Sequence, residues 1–370
     1  MNAEPRPPPP RPEAQGWLTR LAMSPRFHRL AARLPGLRWK VRREGEDLFR
    51  IVSGFVQSQA LVALVEGRVL HFLASGPMST EDLSHRCAIP PAPLEVLLRA
   101  GAALKLLSGD RKDRWHLAPR GAAFLTVPGL EPMVRHHHVL YRDLSDPLAF
   151  FRGQTETQLA GFWPYVFGPL AQEDAGLAAR YSRLMAESQV LVAEDTLRLV
   201  DLSRRDHLLD VGGGTGAFLA EVGKSCPGLR LSLFDMPAVL AAVPAALRDR
   251  LTACPGDFRT DPLPGGADVI SLIRVLYDHA DASVAALVAK VFAALPSGGM
   301  ILISEPMSGG DRPDPATDVY FAIYTLAMRT GRTRSAVEIA DLLRQAGFQS
   351  LRIHAGDRPF VTSAITAIKP

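Results

Sequence analysis

The chain has 370 residues, a length that suits about two domains. Hydrophobic residues make up 47% and charged residues 22%, enough apolar material for sizeable cores, which excludes a chain too polar to fold. The net charge is +4, and the absence of any run of 18 or more apolar residues predicts no membrane-spanning helix.

The chain opens MNAEPRPPPPRPEAQG, without an apolar signal region, and reads as an extended, disordered proline-rich leader. Residues 1–46 hold ten Lys and Arg against four Glu. That leaves 32 of the 42 basic and 34 of the 38 acidic residues for the rest, which is near neutral. The basic character is therefore an N-terminal arm. From Trp17 to Lys40 it mixes Leu, Phe and Trp with Arg20, Arg26, Arg29, Arg33 and Arg38, in a rough helical spacing broken by Pro25. Such an arm suits an anionic membrane surface, or packing on the body or on a second subunit. Cys87, Cys226 and Cys254 lie far apart, without metal-ligand or redox spacing, and read as reduced cytosolic thiols.

Residues 47–130 read as a winged-helix domain. Asp47–Leu73 is apolar with a helical period, Ser79 or Thr80 caps a helix with acids in its first turn, and Pro90–Pro93 start the leucine-rich helix Leu94–Gly101. Leu104–Leu107 and Arg114–Leu117 flank Ser108-Gly109-Asp110 as a hairpin. A DNA reader would carry several Arg or Lys on its recognition helix. Pro93–Ala102 offers only Arg99, so packing against a partner subunit is expected rather than nucleic acid.

Residues 131–205 are helical in pattern and rich in aromatics. Phe151, Trp163, Phe167 and Met185 are the expected walls of an apolar substrate pocket. His136, His137 and His138 are consecutive; adjacent helical residues point about 100° apart, so they cannot face one ion together and no metal is expected.

From residue 206 strands alternate with helices. Strands are predicted at His207–Leu209, Leu229–Phe234, Leu251–Cys254, Ala267–Ile273 and Gly299–Ser304, helices at Ala282–Leu295 and within Asp318–Gly347, and a closing hairpin at Leu351–His354 and Phe360–Ile368. Repeated βα units imply a parallel sheet that binds ligands at the carboxyl ends of its strands. Asp210, Asp235, Asp257 and Glu305 all fall at such ends.

The stretch HLLDVGGGTGAFL, His207–Leu219, turns a strand through glycines into a helix and brings bare backbone N–H groups towards a ligand. Two cofactors fit it. Gly212, Gly214 and Ala217 satisfy G-x-G-x-x-A, with Asp235 at about the 20-residue offset of the acid that binds a nicotinamide ribose. S-adenosylmethionine needs the same turn and the same acid, and Asp210 would suit its ammonium better than a pyrophosphate.

DVGGGTG at 210–216, FDMP at 234–237, GDF at 256–258, RVLYDHAD at 274–281 and ISEPM at 303–307 resemble the successive motifs of class I S-adenosylmethionine-dependent O-methyltransferases. The likeness spans about residues 47–370 and is strongest to the branch with an N-terminal winged-helix dimerisation domain. EPMSGGDRPDPATDVYFAIYTLAMRTGR and RPFVTSAITA resemble the bacterial carotenoid O-methylases of phototrophs. The resemblance implies a Rossmann-like α/β sheet, S-adenosyl-L-methionine as cofactor, a homodimer, a 1-hydroxycarotenoid substrate, and a cytoplasmic enzyme peripheral at the inner or photosynthetic membrane. It also implies roles: Gly212 and Gly214 at the methionine part, Asp235 on the ribose hydroxyls, Asp257 and Phe258 on the adenine, and Arg274 closing the site. Relatives use a His in H-D-W-x-D as the base. Here Tyr277 stands in that place, with Asp278 after it and His279 two residues on. His279 assisted by Glu305 is the expected base, with Tyr277 or Asp278 as substitutes and alignment alone as a further route. A second acid expected near Thr333 is absent.

Overall fold

The structure, a computed structural model, describes residues 16–31, 33–110, 113–162, 188–358 and 360–370. The chain divides into two compact units, Met1–His116 and Leu117–Pro370.

In the first unit, α1 (Trp17–Ala22) and α2 (Pro25–Ala31) precede a 32-residue helix, α3 (Pro35–Glu66), then α4 (Val69–Ala74), β1 (Met78–Ser79), α5 (Thr80–Cys87), α6 (Pro91–Ala103), β2 (Leu107–Gly109) and β3 (Arg114–Leu117). Prolines at Pro25, Pro35 and Pro91 start helices, where a missing N–H costs nothing. Ser79 caps α5 by accepting the Asp82 N–H at 3.1 Å. The three strands pair in the order β1-β3-β2, the wing beside α5 and α6.

The expected division at residue 46, between the basic arm and the winged-helix domain, falls inside α3: the basic first half and apolar second half form one helix, unbroken because no proline follows Pro35 within it. That helix does not overturn the expectation of no span. Gly36–Glu66 is long and apolar enough to cross a membrane by length and composition, with a mean hydropathy of 1.6 in its best window. Val62, Leu64 and Val65 on it are buried, whereas Leu48, Ile51, Val52, Phe55 and Val56 form an exposed stripe at helical spacing.

The second unit starts with α7 (Pro119–Thr126), α8 (Leu130–Asp143), α9 (Pro147–Phe151), a 3-10 turn at Leu159–Phe162 and α10 over 188–199. Strands β4 (His207–Val211), β5 (Arg230–Asp235), β6 (Thr252–Pro255), β7 (Val269–Ile273), β8 (Met300–Glu305), β9 (Gln349–His354) and β10 (Ser363–Ile368) form one sheet in the order β6-β5-β4-β7-β8-β10-β9. The first five are parallel; β10 runs antiparallel to both β8 and β9. Between them lie α11 (Ala217–Ser225), α12 (Pro237–Ala241), α13 (Ala245–Arg248), α14 (Asp281–Ala294), a π-helix at Pro315–Phe321, α15 (Ala322–Met328) and α16 (Ala336–Gln345).

Strand residues alternate between two cores. Leu209, Ile270 and Ile301 pack with Leu287 and Val291 of α14 and Leu343 of α16. Their neighbours Leu208, Val269 and Leu302 pack with Phe218 and Leu219 of α11 and Val192 of α10. Both faces of the sheet are covered, which is why its strands read as near-continuous apolar runs.

The loop after β7 is held from two sides. Glu305 at the end of β8 accepts the N–H groups of Leu276 and Tyr277 at 3.0 and 3.2 Å. Arg334, with no exposed surface, donates to the carbonyls of Leu276 (2.7 Å) and His279 (2.9 Å) and to Asp281 Oδ1 (2.6 Å). Gly331 lies so close that a Cβ there would stand 2.0 Å from the Tyr277 carbonyl oxygen, so only glycine fits. Arg334→Leu removes the guanidinium donor of the His279 carbonyl and leaves the Leu276 carbonyl with the His279 N–H alone, and is expected to lower stability by roughly 2–4 kcal/mol in urea unfolding; a loss under about 0.5 kcal/mol would show that the clasp holds nothing.

Candidate active site

The glycine turn between β4 and α11 forms one wall. Gly212 (φ 69°) and Gly214 (φ 61°) take the left-handed conformation, and nothing lies within 4 Å of the place where a Gly214 Cβ would stand. Gly212 is flanked by Val275 of the β7 loop and by Phe258. Beneath the turn, Asp210 is fully buried. Its Oδ1 accepts the Ser271 hydroxyl at 2.6 Å, and its Oδ2 lies where a Gly213 Cβ would stand. Burial raises its pKa to about 7. Oδ2 is buried without a hydrogen-bond partner among the described residues, directly beneath the glycine turn.

Asp235 ends β5. Oδ2 accepts the Gly214 N–H at 2.9 Å and Oδ1 its neighbour Met236 N–H at 2.7 Å, and burial raises its pKa to about 6. Each oxygen keeps a lone pair for a vicinal diol. Asp257 is held bidentate by the Arg259 guanidinium, at 3.0 and 2.7 Å, which lowers its pKa. Phe258 meets the His279 ring edge-on at 5.1 Å. An open glycine turn, a diol acceptor and a half-buried aromatic side wall fit a nucleoside ligand.

His279 is thus on the nucleoside side. Burial lowers its pKa to about 4, with Arg259 and Arg334 adding to the effect. Glu305 Oε2 is taken by backbone N–H groups, and among the described residues Oε1 is buried without a hydrogen-bond partner. The expected pair of His279 oriented by Glu305 is not assembled. The 3-10 turn Leu276–Asp278 rotates His279 towards Phe258, while Glu305 caps the turn from below.

Tyr277 and Asp278 are buried in the same turn. Burial raises the Tyr277 phenol and lifts Asp278 well above the carboxylate range. Arg274, in the left-handed region (φ 57°), donates Nε to the Tyr277 hydroxyl at 3.2 Å and Nη1 to Ser188 at 2.9 Å. The Tyr277 ring meets Phe321 edge-on at 6.5 Å, and Phe321 meets Tyr320 at 5.1 Å. Opposite them, α8 presents His137, whose Nε2 is 2.8 Å from the Tyr320 hydroxyl, and His136, whose Nε2 is 2.9 Å from that of Tyr324. The three consecutive histidines therefore diverge, His138 lying edge-on to Tyr141.

Of the expected pocket walls, Trp163, Phe167 and Met185 lie outside the described residues. Phe151 is 59% exposed, and its neighbour Phe150 takes the buried place beside Tyr324, because consecutive positions on α9 face different ways. Sequence reasoning missed Arg334, Tyr320 and Tyr324. Arg334 sits in a polar loop with no periodic signal, and the tyrosines lie in a region read only as helical.

Glu305 gives a pH test. Burial raises it from an ordinary 4.5 to about 7, so the folded state binds a proton that the unfolded state has lost between those values. Its contribution to stability is present below pH 4.5 and disappears as pH rises through 7. Relative to Glu305→Gln, the wild type should lose roughly 3 kcal/mol across that window in urea titrations. Parallel curves would show that Glu305 ionises normally.

Residues 141–349 match the family profile of the O-methyltransferase domain, and residues 49–127 that of the O-methyltransferase dimerisation domain. The demethylspheroidene O-methyltransferase of Rhodobacter capsulatus is 58% identical over 97% of this chain and 91% of its own length. That of Cereibacter sphaeroides is 56% identical over 97% and 98%. Among solved structures, human N-acetylserotonin methyltransferase in complex with SAM superposes with a TM-score of 0.74 at 25% identity, covering 88% of this chain and 97% of that one. With the glycine turn, the strand-end acids and both family profiles in register, the chain belongs to the O-methyltransferases that carry an N-terminal dimerisation domain.

Proposed function

We propose that this S-adenosylmethionine-dependent enzyme methylates the tertiary 1-hydroxyl of an acyclic carotenoid such as demethylspheroidene. The observation that carries the substrate is the 56–58% identity, over 97% of the chain, to two enzymes of that name. When bound, S-adenosylmethionine supplies an electrophilic methyl group on a sulfonium.

The chain's own residues would then do four things. Gly212 and Gly214 let backbone approach the methionine part; Asp235 accepts the ribose hydroxyls; Asp257 and Phe258 hold the adenine, with His279 closing that slot edge-on; Arg274 and Tyr277 form the wall beyond Gly212. Alignment of the hydroxyl with the methyl group supplies much of the rate, since the sulfonium is already reactive.

The family's dimerisation domain supports a homodimer. The exposed stripe Leu48, Ile51, Val52, Phe55 and Val56 on α3 is the surface we assign to the second copy. The arm adds a route to a membrane-dissolved substrate: Trp17, Leu21 and Trp39 are exposed among arginines, as peripheral contact with anionic lipid requires.

Three measurements test this reading. In calorimetry, S-adenosylmethionine and S-adenosylhomocysteine should bind and NAD should not, and Asp235→Ala should weaken both at least about 30-fold, the loss of two hydrogen bonds to a charged acceptor. The wild type should also methylate demethylspheroidene in detergent. Binding of NAD alone, or no methylation, overturns the assignment. Removing residues 1–33, which spares α3, should weaken flotation with phosphatidylglycerol vesicles; unchanged flotation removes the arm's role.

A further inference from the structure

Transfer of a methyl group to a tertiary alcohol leaves a proton with no obvious destination in the β7 loop. His279 packs edge-on against Phe258. Glu305 and Asp278 are buried carboxyls pushed towards their protonated forms, and the Tyr277 hydroxyl accepts from Arg274 and stays a phenol.

A neutral acceptor lies across the same wall. The π-helix Pro315–Phe321 is pinned at its start by Asp314, which accepts the N–H groups of Ala316 and Thr317. It is pinned again by Asp318, which accepts those of Gly309 and Asp314. Seven residues of π-helix are rare and concentrate at functional sites. This one sets Phe321 against Tyr277 and Tyr320 against Phe321. Phe321 stands between the two tyrosine rings, edge-on to each, so Tyr277 and Tyr320 line one wall. Behind Tyr320 stands His137, at 2.8 Å.

We propose that Tyr320 receives the proton of the substrate hydroxyl and passes its own to His137, so that the pair is the general base that the β7 loop lacks. The proposal rests on the methyltransferase reading above. As the oxygen–methyl bond forms and the methyl–sulfur bond breaks, the electron pair of the broken bond stays on sulfur. The hydroxyl proton moves to Tyr320 Oη and the phenolic proton to His137 Nε2. One positive charge leaves sulfur and one appears on the imidazolium, so the net charge of the site is unchanged. Burial keeps His137 neutral beforehand, as an acceptor must be. An oxygen that has taken up a methyl group is strongly acidic, so a weak base suffices.

The fold supplies its own control. His136 bonds Tyr324 at 2.9 Å from the same helix, but Tyr324 is buried in the apolar cluster of Leu140, Phe150 and Leu159. A merely structural role would make the two pairs behave alike.

The test compares wild type with Tyr320→Phe, His137→Gln and His136→Gln, using demethylspheroidene in detergent. Tyr320→Phe and His137→Gln should lower kcat about 100-fold or more, with KM and the calorimetric Kd for S-adenosylmethionine within about threefold. His136→Gln should keep kcat. In cofactor-free enzyme with labelled histidine, demethylspheroidene should shift the His137 imidazole resonance in wild type but not in Tyr320→Phe. A kcat within fivefold of wild type in Tyr320→Phe or His137→Gln, an equal fall in His136→Gln, or an unmoved resonance overturns the relay while leaving the enzyme's activity established. If Tyr320→Phe does not fold, His137→Gln and the wild-type resonance still decide. A wild type that does not methylate demethylspheroidene overturns the substrate reading and the relay with it.

Discussion

A short backbone stretch, residues 274–280, has to be held still with no more regular structure than a single 3-10 turn. Its N–H groups go to a buried carboxylate from β8 and its carbonyls to a buried guanidinium from the loop before α16. An accepting carboxyl on one side of the turn and a donating guanidinium on the other replace the regular ladder, and the turn's own polar groups give both their partners in the interior. The Tyr277, Asp278 and His279 side chains, the approach of Val275 to Gly212, and the reach of Arg274 to Ser188 all follow from where that turn is fixed. A one-residue change in its path would turn His279 away from Phe258.

How much of this was legible in the sequence depended on the range of the interaction. The strands were readable because burial on both faces writes long apolar runs, and the acids at their ends because each follows such a run directly. The closing hairpin was visible too, though not that its second strand inserts beside β8. Side-chain direction in the turn after β7 was not legible: counting residues placed His279 near the expected base, and only the 3-10 geometry shows it facing Phe258. Pairings across long separations left no local trace. His137 and Tyr320 are 183 residues apart, and the histidine triplet drew attention only as a metal motif. Arg334 looked like one more charge in RTGRTRS, because a buried arginine and a solvated one have the same neighbours in sequence.

Helix α3 shows how one element serves two solvents. Its first half is basic and its second half apolar, which composition alone split into an arm and a domain. A continuous helix of 32 residues is about 48 Å long, and an unbroken rod couples whatever its two halves touch. The family's use of this region for dimerisation accounts for the apolar half without a membrane. The polar residues Gln57 and Gln59 within it agree with burial against protein better than with lipid.

The position of β10 has a consequence for how the chain is made. Residues 363–368 are not at the margin of the sheet but between β8 and β9. During synthesis β8 therefore emerges with one hydrogen-bonding edge open, and that edge stays open until more than fifty further residues have left the ribosome. Ile301 and Ile303, later covered by neighbours, are exposed in this interval beside an unpaired strand. The methyltransferase sheet can nucleate early from β4 to β8, yet it becomes safe from association with another nascent copy only when the last strand slots in. Slow translation of this final stretch would lengthen that vulnerable window, and a chaperone that shields strand edges would act on this protein late rather than early.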